Sequence, residues 1–218
     1  MFLKCFGFGA QRQYPTVIEE LCHRFSLADL RKSTNNFDQN TVIDRGGCGR
    51  VYKGCLQHNE HASDTVAVKR LGMGNEELFR NEIELLCQLR HPNLVSLIGF
   101  CNDQKEKIIV YEYLSNGSLD QLLQSGVLSW KKRLEICIGA ARGLHYLHAG
   151  AKRTIIHRDI KPSNILLDDN MEPKLAGFSL SVLGPRFKSK PKPIKVDSVL
   201  GNVLFYEVTT TMIFCQIN

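Results

Sequence analysis

The chain has 218 residues, 43% of them hydrophobic and 23% charged, with a formal net charge of +6. This is ordinary for a soluble globular protein and long enough for one or two small domains with a real core. No apolar run reaches about 18 residues, so no membrane-spanning helix is expected. The eight cysteines contain no C-x-x-C pair, which argues against a zinc site.

In chain order, residues 1–24 read as a flexible leader. Phe2 excludes myristoylation of a glycine there, and Cys5 is a candidate for S-palmitoylation. Several other cysteines fall in apolar segments, where a thiol acts as a small hydrophobe, and this usage fits a reducing intracellular compartment. Ser26-Leu27-Ala28-Asp29 is a capping-box start for a short helix ending near Asn35, and residues 25–40 form a segment ahead of the main domain. Residues 41–71 read as glycine-broken strands, including Val51-Tyr52-Lys53-Gly54 and Thr65-Val66-Ala67-Val68-Lys69. A helix is expected over 75–89, with Leu78, Ile83, Leu86 and Leu89 as its apolar positions. Strands follow at 94–101 and 107–113, then a short helix begins at Ser118. The longest helix is expected over 130–148, capped by Ser129, burying Leu134, Cys137, Ile138, Ala141 and Leu144. Short strands at Ile165-Leu166-Leu167 and Pro173-Lys174-Leu175 come next. A mostly β half thus precedes a mostly helical half, with the boundary near 114–118. The run Arg186, Lys188, Lys190, Lys192 and Lys195 holds no acid and reads as a solvated loop, not a nucleic-acid surface.

Five motifs carry chemistry. Asp44-Arg45-Gly46-Gly47-Cys48-Gly49-Arg50-Val51 is a glycine-rich turn whose backbone N–H groups can approach phosphate oxygens. Val66-Ala67-Val68-Lys69 places a lysine near the end of a strand. Arg80-Asn81-Glu82-Ile83-Glu84 offers Glu82 as its partner, with Glu84 as the fallback. Tyr111-Glu112-Tyr113-Leu114 joins the two halves. His157-Arg158-Asp159-Ile160-Lys161-Pro162-Ser163-Asn164 is the most specific signal, and its position after the other motifs makes coincidence implausible.

With these motifs the chain resembles plant receptor-like and receptor-like cytoplasmic Ser/Thr protein kinases of the malectin-receptor, FERONIA-like branch. Phe25-Ser26-Leu27-Ala28-Asp29-Leu30, Thr34-Asn35-Asn36-Phe37 and His91-Pro92-Asn93-Leu94-Val95-Ser96-Leu97-Ile98-Gly99-Phe100-Cys101 carry the same likeness, which runs from about 25 to 201. The resemblance implies an α+β bilobal kinase fold: an upper lobe over 41–114, a partial lower lobe over 115–201 and a divergent tail over 202–218. It implies ATP in the cleft, two Mg2+ ions and phosphorylation of protein Ser or Thr. By resemblance, Ile43, Gly46, Gly47, Gly49, Val51, Ala67, Lys69, Glu82, Glu112 and Leu114 hold the nucleotide, the last two through backbone groups. Asp159 takes or orients the substrate hydroxyl proton, Lys161 neutralises the transferred phosphate and Asn164 holds a magnesium ion.

The chain departs from the family pattern in three places. Asp44 stands where the first glycine of the phosphate loop belongs. Lys174-Leu175-Ala176-Gly177-Phe178-Ser179-Leu180-Ser181 has Gly177 in place of the magnesium-chelating aspartate and Ser179 in place of a hinge glycine. Losing one such preorganised group costs about 10²–10³ in rate. After Gly201 the P-E segment and the following helices do not appear, so the lower lobe is expected to be incomplete and the stripe of helix 130–148 partly exposed. The expected function is a Ser/Thr kinase family member impaired in catalysis. The alternatives are a nucleotide-binding pseudokinase scaffold and a non-functional truncated product. Expected partners are ATP and a protein substrate or receptor kinase, with no nucleic acid. The expected location is cytoplasmic, with peripheral plasma-membrane association if Cys5 is acylated. Ser181, Ser189 and Ser198 are candidate activating phosphosites, and Arg158 is the residue that would pair with such a phosphate.

Overall fold

The computed structural model describes residues 22–59, 62–103 and 105–184. Cys5, most of the expected leader, the basic run, Ser189, Ser198 and the tail lie outside the described residues.

A six-stranded sheet forms the upper half, in the order β1-β5-β6-β4-β3-β2. β1 is His23–Arg24, β2 Val42–Gly46, β3 Gly49–Asn59, β4 Ala62–Leu71, β5 Leu97–Asn102 and β6 Lys107–Glu112. The long β3–β4 hairpin is antiparallel, and β4 continues into β6 through pairs such as Val68 with Val110. β-Branched residues dominate this core, where Val66, Val68, Ile108 and Val110 are fully buried. β1 pairs in parallel with β5, so ordered structure begins inside the segment expected to be a leader. Gly99 permits this approach, because a Cβ there would meet the His23 carbonyl oxygen at 2.2 Å. The strand expected from 94 begins at Leu97 instead.

Helix α1, Leu27–Ser33, starts at Ser26, whose hydroxyl accepts the Asp29 N–H. It ends in three consecutive left-handed residues, Asn35, Asn36 and Phe37, with φ of 49°, 56° and 56°. Asn tolerates this region; Phe does so only under constraint. The constraint is visible: Thr34 Oγ1 accepts the Phe37 N–H, and the Phe37 ring is buried against Tyr52 with Arg70 over its face. The Thr34-Asn35-Asn36-Phe37 motif is therefore a turn that pins α1 onto the outer face of the sheet.

Helix α2, Glu76–Leu86, is shorter than expected at both ends. It buries Phe79, Glu82, Ile83, Leu85 and Leu86. Three of these match no position of the predicted apolar set, because the helix packs between the sheet and the segment 178–180 and needs a wider face.

The lower half contains α3, Leu119–Gln124, and α4, Trp130–His145, followed by a π-helical turn over Tyr146–Gly150. Ser118 and Gln121 form a reciprocal capping box on α3, and Ser129 caps α4. β7, Ile155–Ile156, pairs with β10, Val182–Leu183, and β8, Ile165–Leu167, pairs with β9, Pro173–Leu175. The buried face of α4 is Ile136, Cys137, Gly139, Ala140, Gly143 and Leu144. This corrects the predicted stripe: Ile138 is 48% exposed, and Leu134 and Ala141 are only half-buried. The reason is the pair of glycines, invisible to an apolar count. A Cβ on Gly139 would lie 2.4 Å from Pro173, and one on Gly143 would lie 2.6 Å from the Asn93 carbonyl oxygen. The helix seats its glycine face on β9 and the 91–95 turn. That turn also accepts β9 directly, through Leu175 N–H to Asn93 O and Val95 N–H to Leu175 O, each near 3 Å.

Gly143→Ala sets a helix-propensity gain of about 1 kcal/mol against overpacking onto backbone costing about 1–3 kcal/mol. Because the obstructing atom is a main-chain oxygen, overpacking wins. We expect a net loss of about 1–2 kcal/mol, read as a fall in melting temperature of roughly 2–8 °C by circular dichroism.

Candidate active site

Three elements meet at Glu82. β4 presents Lys69, α2 presents Glu82, and the turn after β9 presents Ser179. Lys69 Nζ donates to Glu82 Oε2 at 2.7 Å. Ser179 Oγ donates to the same oxygen at 2.6 Å and accepts from Lys69 Nζ at 3.3 Å. Glu82 is 1% exposed, and burial by itself would raise its pKa; the Lys69 charge and the hydrogen bonds outweigh this and hold it below the ordinary carboxylate value. Tyr111, at the end of β6, has its hydroxyl pKa pushed well up by burial and by the Glu82 charge. Beside Glu82, the Asn81 amide donates to the carbonyls of Ser179 and Ser181 at 2.8 Å and of Phe178 at 3.4 Å.

The segment 157–164 forms a second cluster. His157 is buried, with Nε2 3.0 Å from the Ala176 carbonyl oxygen and Nδ1 3.3 Å from the Asp159 backbone nitrogen. A carbonyl only accepts and an N–H only donates, so these partners select the neutral Nε2–H tautomer. Burial pushes the His157 pKa down to about 4. Its ring packs edge-on against Phe178. Arg158 is exposed and left-handed, with φ 70°. Asp159 Oδ2 lies 3.0 Å from Lys161 Nζ and accepts Asn164 Nδ2 at 2.7 Å; the same amide donates to the Asp159 carbonyl at 2.7 Å. The structure thus brings Asp159, Lys161 and Asn164 together.

Asn164 stands directly against Gly177. Gly177 is left-handed, with φ 83°, and a Cβ on it would lie 2.7–2.8 Å from Asn164 Cγ, Nδ2 and Oδ1. The asparagine head therefore occupies space that any side chain at 177 would claim. Magnesium requires several hard oxygen ligands in near-octahedral array. Here position 177 offers no side-chain ligand, Asn164 donates its N–H₂ to Asp159 and keeps its amide oxygen as a hard donor, and the Asp159 carboxylate is shared with Lys161. Among the described residues no group of three or more His, Cys, Asp or Glu is placed to hold a metal ion. The residues present do not fit a magnesium ion anchored at 177.

The remaining predicted residues lie along the upper half. Gly46 and Gly49 close the β2–β3 hairpin around Gly47 and Cys48. A Cβ on Gly46 or Gly47 would touch nothing within 4 Å, so the turn stands free, whereas one on Gly49 would strike the Arg70 carbonyl at 2.2 Å. Asp44 pairs with Val51 on this hairpin and is exposed. Ile43 is exposed, Val51 and Ala67 are half-buried, and Leu114 is buried. Lys69 keeps 18% of its side chain accessible. The Glu112 carboxylate accepts the Ser96 N–H at 2.7 Å and Lys174 Nζ at 3.1 Å, tying the connection between halves to both. Glu84 is not the lysine's partner.

Sequence reasoning missed Asn81 and the interaction of Ser179. It noted Ser179 only as a lost glycine, because its partners lie 97 and 110 residues away. Ser181, a candidate phosphosite by sequence, is 1% exposed, and its hydroxyl donates to the His157 carbonyl at 3.0 Å, so it is not presented for modification.

A family model described as protein tyrosine and serine/threonine kinase matches residues 37–192, and the chain belongs to that family. Its fold is the α+β protein-kinase type. Similar curated proteins are receptor-like kinases of Arabidopsis thaliana. THESEUS 1 is 52% identical over 167 residues, covering 74% of this chain and 19% of that protein. FERONIA is 49% identical over 171 residues, covering 76% and 19%. ANXUR2 is 50% identical over 171 residues, covering 76% and 20%. The chain thus spans about a fifth of the length of these relatives. No helix among the described residues is long and apolar enough to cross a membrane.

The low His157 pKa makes stability pH-dependent. The unfolded ring takes a proton near pH 6.5 and the folded ring only near pH 4, so the contribution is complete above about 6.5 and is lost as pH falls toward 4. Its size is on the order of 3 kcal/mol. We expect His157→Gln to flatten the wild-type decline between pH 6.5 and 4 in urea titrations. An unchanged slope would remove His157 as the cause.

Proposed function

We propose that this chain is a nucleotide-binding domain of the receptor-like Ser/Thr protein kinase class, with its phosphoryl transfer impaired. One contrast supports the reading. The Lys69–Glu82 pair is assembled, while the aspartate position is a glycine whose space Asn164 fills. Lys69, backed by a buried carboxylate, offers an accessible ammonium for the α- and β-phosphates of ATP. The free-standing turn at Gly46 and Gly47 suits main-chain contact with phosphate oxygens. Ile43, Val51 and Ala67 supply apolar surface for the adenine, beside backbone groups of Glu112 and Leu114.

In the transfer step Asp159 would accept a substrate hydroxyl proton and Lys161 would neutralise the moving phosphate. Both are present, yet Asp159 is bound by Lys161 and Asn164. Magnesium, where the family uses it, supplies charge neutralisation across the phosphates, and this chain lacks its main anchor. A missing electrostatic group of this kind costs about 10²–10³ in rate. The second reading, a pseudokinase scaffold, rests on the same contrast. The proposed partners are a protein substrate or a receptor kinase in the cytoplasm; peripheral attachment to the plasma membrane depends on acylation of Cys5.

Two measurements test this. ATP should raise the melting temperature of the full chain, and Lys69→Met should abolish the rise, since a ligand bound only by the folded state stabilises it. Radiolabel transfer from ATP should match that of Asp159→Asn within error. No thermal shift would refute nucleotide binding, and transfer well above the Asp159→Asn control would refute impairment.

A further inference from the structure

We propose that Ser179 is a positioning residue, whose hydroxyl, inserted between Lys69 and Glu82, latches α2 to the segment 178–181 and holds the lysine in place without a metal ion. The nucleotide part of this inference rests on the reading given above; the latch itself does not.

The geometry carries it in four steps. Glu82 is a buried carboxylate with two donors on one oxygen, Lys69 Nζ at 2.7 Å and Ser179 Oγ at 2.6 Å. Removing one donor from a buried charge leaves it under-satisfied, which costs more than an ordinary hydrogen bond. Ser179 also accepts from Lys69 at 3.3 Å, so one hydroxyl contacts both members of the pair and fixes their mutual orientation. The backbone behind the hydroxyl is itself held, because the Asn81 amide binds the carbonyls at 178, 179 and 181. Asn81 and Glu82 are neighbours on α2, so the helix grips the segment through side chain to carbonyl and through carboxylate to hydroxyl at once. Finally, Ser181 anchors the far end of the segment on the His157 carbonyl. The joint therefore spans α2, β4 and the 157–164 cluster, and none of its bonds involves position 177.

The latch can be read in the protein without nucleotide. Hydrogen exchange of the α2 amides should quicken about tenfold or more in Ser179→Ala, the loss expected for one hydrogen bond to a buried charge. Ser179→Gly serves as a second variant, and thermal melts establish that each is folded. In a Glu82→Gln background the same Ser179→Ala change should add little, because the hydroxyl acts through that carboxylate. With nucleotide, Ser179→Ala should weaken ATP binding while leaving its response to a chelator unchanged. Exchange of α2 at the wild-type rate in both folded variants, or an undiminished Ser179→Ala effect in Glu82→Gln, would overturn the latch. Faster exchange that depends on Glu82, with no ATP binding in any variant, would support the latch and refute the nucleotide reading alone.

Discussion

A carboxylate removed from water must find donors or give up its charge, and Glu82 is the carboxylate on which this structure turns. Its desolvation is met by an ammonium from β4 and a hydroxyl from the turn after β9. Meeting that need draws together three stretches of chain far apart in sequence. α2 cannot rotate away from the sheet without stranding a buried charge. The segment 178–181 cannot swing out without taking a donor with it. The relation between the upper sheet and the lower half at this point follows from one ionised group.

The other ties between the halves combine main chain and side chain. β9 pairs with the 91–95 turn, α4 lies against both through glycines, and Glu112 is bonded to Ser96 and Lys174. The β9 pairing runs through backbone groups, whereas the Glu112 ties run through its carboxylate. The 157–164 segment is joined to the stretch of chain that carries Ser179 through Ser181, whose hydroxyl donates to the His157 carbonyl.

Position 177 lies beside the 157–164 cluster. The Asn164 head lies where a side chain at 177 would begin. From there its amide bonds Asp159, which is also held by Lys161. Three residues that match a kinase motif in type and order thus form one polar cluster, in which Lys161 and Asp159 stay partly exposed. Residue identity was legible in the sequence; the direction in which the asparagine amide is spent was not.

Much of the architecture was readable because it depends on local rules. Ser26, Ser118 and Ser129 each cap the helix they announce, since a cap uses neighbouring backbone groups. The strands from Val51 and Thr65 follow β-branched pattern, and the 157–164 octet, with the motifs that precede it, carries the resemblance to protein kinases. The sequence by itself also specified that position 177 has no metal ligand. Tertiary structure decided the rest. It chose the glycine face of α4 over its apolar stripe, because close approach to Pro173 and Asn93 is a property of two surfaces. It buried Ser181 and gave Ser179 its partners, because hydrogen bonds over about a hundred residues leave no periodic trace in one strand of sequence.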